Sequence, residues 1–246
     1  MVVEPDGRTG AENMAIDWAL LRAAQRGSAV LRVYRWAPPC LSFGRNEPAL
    51  VRYDRERIAA LGLDTVRRPT GGRAVWHEHE VTYAVAAPAE MFGSLPDAYI
   101  AIHRMLAGAL RRLGVDVELA ARPSLAAGPG AGACFAAPVG GEIVSGGRKL
   151  VGSAQVREGA AFLQHGSILL RDGQDLVTSV TREAAPRPTA TALTTLLGRP
   201  VTFKEVSDVV ATAAQTAWTG RWQRLAIEPD RSDLARFADD GWTWRR

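Results

Sequence analysis

Apolar residues recur at helical spacing in three segments of the chain. Residues 9–25 open with Thr-Gly-Ala-Glu, a capping-box pattern, and Gly27 follows as a helix stop. Residues 97–113 carry apolar positions three and four apart and are closed by Gly114. A second capping box, Thr-Phe-Lys-Glu, opens residues 202–217. The spacing therefore predicts a helix over each of these segments, and residues 55–61 are predicted as a shorter helix.

Between these helices the pattern changes to that of strands. "AVLRVYRW" alternates with a period of two, and "CLSF", "TVRRP", "AVWHEHEVTYAVAAP" and "AAFLQHGSILL" also have strand character. "EIVSGGRKLVGSAQVR" predicts a hairpin that turns at Gly146-Gly147. Because hairpins outnumber repeated crossover units, we expect an α+β fold with a mixed, largely antiparallel sheet. Residues 1–185 are predicted as the catalytic domain and 186–246 as its C-terminal helical extension.

Composition narrows the class of protein. The 246 residues are 47% hydrophobic, enough for a core, and no apolar run approaches the roughly 20 residues that span a bilayer. The net charge is +4 without a run of like charges, so neither a nucleic-acid nor a membrane partner is expected. Two cysteines and four scattered histidines suit neither a disulfide framework nor a metal site. We expect a cytoplasmic, reduced protein without a signal peptide, and a monomer.

The choice of cations singles out two positions. Of the 30 Lys and Arg residues, only Lys149 and Lys204 are lysine. A compact ammonium and a planar guanidinium are not interchangeable, so a lysine in so arginine-rich a chain hints at a specific role. Chance survival of either one is the competing interpretation.

The stretch "RRPTGGRAVWHEHEVTYAV" combines arginines with backbone freedom. Gly71 and Gly72 allow a close approach to a ligand, and arginine with backbone N–H groups binds phosphate or carboxylate. Arg67 and Arg68 are neighbours in a strand and point to opposite faces, so at most one easily reaches a site. A tight turn with solvated arginines is the alternative.

Four segments together resemble the lipoate–protein ligase A family: "ENMAIDWAL", "LRVYRWAPPCLSFGR", "RRPTGGRAVWHEHEVTYAV" and "GRKLVGSAQVREGAAFLQHGSILL". They occur in the order and spacing of that family, over roughly residues 10 to 175. The resemblance implies the biotin/lipoyl protein ligase catalytic fold.

Within that family the chain is similar to the octanoyltransferase branch. Lipoate ligases typically carry a third glycine where this chain has Arg73, and an Asn-Asp pair where it has "ACFAAPVGGEI". The resemblance then implies that Cys134 accepts the acyl group and Lys149 tunes it. It also implies octanoyl-acyl carrier protein as donor, and as acceptor a lipoyl domain such as that of glycine cleavage H protein or 2-oxoacid dehydrogenase E2. No cofactor is expected.

The same motifs imply a substrate-binding set. Motif position also suggests that Val75, Trp76, Val85 and Leu163 line an acyl tunnel, whereas Cys40, His79 and His103 are expected to be structural or bystander residues. The roles of His77 and His165 stay open. The predicted substrate-binding residues are Arg67, Arg68, Gly71, Gly72, Arg73, Ala74, Val75, His77, Gly152, Ser153, His165 and Gly166.

Other hypotheses on function remain. An ATP-dependent lipoate ligase would use ATP and Mg, would hold an acyl-adenylate with Lys149 and the loop from Arg67 to Val75, and would not need Cys134. A lipoyl-domain amidotransferase ranks lower because the hairpin motif of such relatives departs from "GSAQ…HGS". A non-catalytic acyl-binding relative is the remaining alternative.

Overall fold

Two sheets form the framework of the part of the chain that the computed structural model describes, residues 1–121, 135, 140–183 and 189–245. The strands are β1 (Val2–Val3), β2 (Val30–Tyr34), β3 (Cys40–Phe43), β4 (Asp64–Arg67), β5 (Val75–His77), β6 (Glu80–Pro88), β7 (Glu118–Leu119), β8 (Ile143–Ser145), β9 (Arg148–Glu158) and β10 (Ala161–Leu169). The helices are α1 (Gly10–Ala24), α2 (Ala49–Arg52), α3 (Arg55–Ala60), α4 (Leu95–Arg112), α5 (Asp175–Ser179), α6 (Leu193–Leu197), α7 (Phe203–Ala217), α8 (Arg231–Ala238) and α9 (Asp240–Thr243), with a 3₁₀ helix at Ala89–Phe92.

The larger sheet has seven described strands in the order β1-β2-β6-β10-β9-β8-β7. Its neighbours are antiparallel except for β1 and β2. The smaller sheet has the order β4-β3-β5, in which β3 and β4 run parallel. The expected α+β class with a largely antiparallel sheet is confirmed.

The capping and turn residues predicted from the sequence have the expected local geometry. Thr9 and Thr202 each make both bonds of a capping box, at the starts of α1 and α7. Gly146 and Gly147 have φ values of 54° and 73°, the positive values that the β8–β9 hairpin turn requires. The stretch predicted to continue from the glycine loop through residue 88 is divided into β5 and β6, which belong to different sheets.

Helices cover both faces of the larger sheet. Helices α4 and α7 pack on the face that carries Val81, Tyr83 and Val85 of β6, and α1 packs on the opposite face. Helix α8 in turn packs against α1, so the helices after residue 186 join the same core, although the boundary at 185 stays a prediction. Among the described helices, none has the length and hydropathy that crossing a bilayer requires.

Candidate active site

A cleft crosses one face of the larger sheet. Tyr34, Thr82, Ser167 and Gly152 stand opposite one another on β2, β6, β10 and β9, and all four line it. Four adjacent strands span about 14 Å from the first to the last. In this structure the cleft is narrow, with a volume of about 20 Å³, which is room for about one water molecule.

Seven of the predicted substrate-binding residues line this cleft. They lie on β5, just after β4, and in the middle of β9 and β10. The seven are Arg68, Val75, His77, Gly152, Ser153, His165 and Gly166. Of the four residues expected to line an acyl tunnel, Val75 lines the cleft. The other three, Trp76, Val85 and Leu163, lie in three separate hydrophobic clusters.

Lys149 and Phe135 meet at the Gly152 end of the cleft. Lys149 is 1% exposed, and its Nζ lies 5.0 Å from the centre of the Phe135 ring. A Cβ on Gly152 would lie 2.9 Å from Phe135 Cζ and 3.0 Å from Lys149 Cε. Only glycine leaves room for this contact, which brings a buried cation to one end of the cleft.

The ammonium of Lys149 is paired with Glu142. Its Nζ lies 2.7 Å from Glu142 Oε1, and both side chains are buried. Lys204, in contrast, is 83% exposed on α7 and pairs with Asp208 one turn along the helix. The structure therefore gives only one of the two lysines of the chain a buried position beside the cleft.

The two neighbouring arginines point apart, as predicted. The guanidinium of Arg67 is fully buried and donates to carbonyl oxygens of the protein itself, three after β3 and three near the C-terminus. Arg68 lines the cleft, but its two NH₂ groups donate to Ser42, to Gly71 O and to Arg73 O. Neither arginine presents a free fork to an anion. Their roles in substrate binding stay predictions.

The glycine loop between β4 and β5 lies against two other segments. Thr70 O accepts from Arg45 N at 2.7 Å, and a Cβ on Gly44 would overlap the carbonyl of Gly72. Gly72 has a φ of +90°, and a Cβ there would lie 3.8 Å from the Ala154 side chain on β9. The loop is thus held beside the cleft by its own backbone. Ala74 is fully buried at its end.

His165 connects that loop to the sheet. Its Nδ1 lies 2.9 Å from Asp17 Oδ2, and its Nε2 lies 2.7 Å from Thr70 Oγ1. Asp17 on α1 also binds Arg32 Nη1 at 2.8 Å and accepts from Tyr34 OH at 2.9 Å. Burial alone would raise the pKa of Asp17, but the bond from His165 and the charge of Arg32 outweigh it and lower that pKa. Asp17 was not among the residues predicted from the sequence; its signal there is a carboxylate on the buried face of a helix.

His77 is held in a second polar chain. Its Nδ1 donates to Glu80 Oε1 at 2.8 Å, and its Nε2 accepts from the Ser42 hydroxyl, while its ring stacks on Trp36. Burial lowers the pKa of His77 despite the charge of Glu80, so the ring is neutral at neutral pH. Both nitrogens of each cleft histidine are therefore engaged by protein groups.

His103, expected to be a bystander, lies behind the cleft. Its Nε2 is 2.8 Å from Ser153 Oγ, which in turn is 2.7 Å from Tyr83 OH. Burial, assisted by the nearby charge of Lys149, lowers the pKa of His103 to about 4. The sequence offered no signal for this, because His103 comes from α4 and its partners from β6 and β9.

Of the two cysteines, the structure describes Cys40, whereas Cys134 lies outside the described residues. Cys40 is fully buried on β3, and burial, with a contribution from Asp64, raises the pKa of its thiol well above the usual range. A thiol in that environment is inert, in line with the structural role expected for Cys40. Within the described ranges no group of three His, Cys, Asp or Glu side chains is placed to hold a metal.

Comparison with known proteins gives consistent matches. Residues 9–215 match the model of the lipoyl protein ligase A/B catalytic domain. The chain is 36% identical over 263 aligned positions to octanoyltransferase LipM of Kyrpidia tusciae, covering 97% of this chain and 96% of that protein.

Solved structures share the fold. A putative lipoate protein ligase from T. acidophilum with bound lipoic acid superposes with a TM-score of 0.80 at 21% identity, covering 99% of this chain and 98% of that one. A bipartite lipoate protein ligase of Thermoplasma acidophilum, described with its E2 lipoyl domain, gives 0.74 at 19% identity, with coverages of 99% and 95%. The biotin/lipoyl protein ligase-like fold expected from the sequence is confirmed.

Proposed function

Because the chain belongs to the lipoyl protein ligase A/B catalytic domain family, we propose that it is an octanoyltransferase of protein lipoylation. In this proposal it takes an octanoyl group from acyl carrier protein as a thioester on Cys134. It then passes the group to a lysine of a lipoyl domain. The carrier-protein donor and the thioester are carried over from the family resemblance, and the acceptor class also follows the lipoyl domain named with the Thermoplasma acidophilum ligase.

The observation that carries the proposal is the position of Lys149. Its buried ammonium lies at one end of the cleft, against the ring of Phe135. Phe135 directly follows Cys134 in the chain and packs on Gly152, a residue of the cleft wall. A cation at this point favours a thiolate over a thiol and stabilises the oxyanion that forms when the thiolate attacks a thioester carbonyl.

The proposed reaction consists of two acyl transfers and needs no nucleotide. The Cys134 thiolate forms a carbon–sulfur bond to the octanoyl carbonyl, and the carbon–sulfur bond to the carrier breaks, releasing the carrier thiolate. The amine of the acceptor lysine then forms an amide, the Cys134 thiolate leaves, and the amine proton passes to solvent. Exchange of one thioester for another is nearly neutral in free energy, so the reaction as proposed needs no cofactor.

The cleft is long enough for a medium-length acyl chain, which would have to widen it on binding. An extended chain of eight carbons is about 9 Å long. The cleft crosses four strands, about 14 Å, from Gly152 towards Tyr34. With the reacting carbonyl at the Gly152 end, the hydrocarbon would lie over Ser167 and Thr82, beneath Val75 of the smaller sheet.

The arginine geometry favours transfer over adenylation. An acyl-adenylate carries a phosphate, for which arginine is suited when its paired N–H groups are free. Both NH₂ groups of Arg68 already donate to carbonyl and hydroxyl oxygens of the protein. The ATP-dependent ligase is therefore the alternative that the experiment must exclude.

The test is acylation by octanoyl-acyl carrier protein alone, followed by intact mass spectrometry. We expect one octanoyl group, mapped to the peptide with Cys134, released by neutral hydroxylamine and discharged onto an apo lipoyl domain in nucleotide-free buffer. Cys134→Ser should lose the adduct and Cys40→Ser, the matched control, should keep it. Attachment of free lipoate that requires ATP and survives Cys134→Ala would overturn the proposal in favour of a ligase.

A further inference from the structure

The buried pair of Glu142 and Lys149 is an unusual arrangement at this end of the cleft. Glu142 directly precedes β8, Lys149 lies on β9, and their side chains are 3% and 1% exposed. Removing two charges from water is costly, and an apolar pair of similar volume is often no less stable. The arrangement therefore calls for a reason beyond the stability of the hairpin.

The surroundings of the ammonium show what the carboxylate contributes. Among the described residues, the titratable groups that face this region from α4 and β6 include His103, Tyr99 and Tyr83. Burial lowers the pKa of His103 and raises that of Tyr83, so these two are neutral near neutral pH. The proposed function adds the thiol of Cys134, which lies outside the described residues. The Phe135 ring offers only a cation–π contact at 5.0 Å. Glu142, at 2.7 Å, supplies a full negative charge to the buried Lys149 head group.

We propose that Glu142 is a positioning residue that acts through Lys149. Its carboxylate fixes the ammonium beside Phe135 and Gly152 and keeps it protonated, and so sets the upper pH limit at which the enzyme is acylated. The inference rests on the proposed function. A buried lysine from which a close carboxylate is removed loses its proton at a lower pH, because burial penalises the charged form and an opposite charge within hydrogen-bond distance offsets part of that penalty.

The expected signature is a displaced alkaline limb in the pH profile. Acylation of wild type needs the protonated lysine, so its rate falls when the pH rises through the point at which Lys149 loses its proton. In Glu142→Gln we expect this limb about one to three pH units lower, the shift that one close opposite charge produces. Glu118→Gln is the matched control, because Glu118 is an exposed glutamate on the neighbouring strand β7.

The experiment is single-turnover acylation by octanoyl-acyl carrier protein between pH 6 and 10, with thermal unfolding measured on each variant. A profile of Glu142→Gln that keeps the wild-type alkaline limb overturns the inference, whether its rates are normal or uniformly reduced. Uniform reduction is what a purely structural role would give.

A second measurement does not depend on folding of that single variant. Lys149→Met is compared with the double variant Glu142→Gln/Lys149→Met, in which no buried charge is left unpaired. If Glu142 acts through Lys149, neither variant shows the alkaline limb of acylation, because no ammonium is left to lose its proton. An alkaline limb that Glu142→Gln still displaces in the Lys149→Met background overturns the inference. Cys134→Ala, run in parallel, tests the proposed function separately, since full transfer by that variant would reject the thioester route whatever Glu142 does.

Discussion

Replacement of Gly152 by alanine should separate catalysis from folding. Gly152 lies in the ordinary extended backbone of β9, so the only new feature is a Cβ 2.9 Å from Phe135 Cζ and 3.0 Å from Lys149 Cε. Carbon atoms in contact prefer about 3.5 to 4.0 Å, so the ring or the lysine must move by roughly 0.5 to 1 Å. Overpacking of this size costs about 2 kcal/mol. At about 3 °C for each kcal/mol in a domain of this length, the Tm should fall by about 6 °C.

The loss of activity should be much larger than this loss of stability. A displacement of about 1 Å in a reacting arrangement costs on the order of 100-fold in rate. Single-turnover acylation and thermal unfolding by circular dichroism measure the two effects. Gly108→Ala is the matched control: it lies in α4 with nothing within 4 Å of its Cβ, so it should keep the wild-type rate and gain about 0.5 to 1 kcal/mol. A Gly152→Ala variant with wild-type Tm and rate would refute the reasoning.

Three further predictions follow from buried polar groups. Arg67→Met leaves several buried carbonyl oxygens without their donor, so the free energy of unfolding measured in urea should fall by about 3 kcal/mol or more. Because the pKa of His103 is lowered to about 4 by burial, the unfolded chain binds more protons between pH 4 and 6.5. Stability should therefore fall by about 3 kcal/mol as the pH drops through that window, and His103→Gln, but not the half-exposed His79→Gln, should flatten the curve. Lys149→Arg should lose most transfer activity and raise the pH at which the cysteine reacts with iodoacetamide, whereas Lys204→Arg should match wild type in both assays.

The elements of the fold were predictable because their signals are local. The capping boxes at Thr9 and Thr202 and the turn at Gly146-Gly147 each lie within four consecutive residues, and each formed as expected. The motifs that resemble the ligase family also lie in short segments. They led to the lysine, to the cleft histidines and to the glycines of the wall.

The division of one predicted stretch into β5 and β6 was not readable from the pattern. Alternation indicates a strand but carries no information on which sheet the strand joins. The partners of β5 are in β3, and those of β6 are in β2 and β10. Motif position likewise does not show which core a side chain joins. Trp76 and Val85 were both predicted to line the acyl tunnel, but they lie in two different hydrophobic clusters.

The sequence by itself determined the long helices, the main strands, the family and the residue types of the candidate site. Only the tertiary structure decided what those residues do, because the partners that fix a charge are distant in the chain. Arg67 and Arg68 are adjacent, yet one binds carbonyl oxygens near the C-terminus and the other borders the cleft. His165 is bound to Asp17, 148 positions away. The family resemblance singled out Lys149, and the structure adds that Lys149 is buried beside Glu142 whereas Lys204 is exposed. This difference matters because the energy of a charge depends on its distance from water and from other charges.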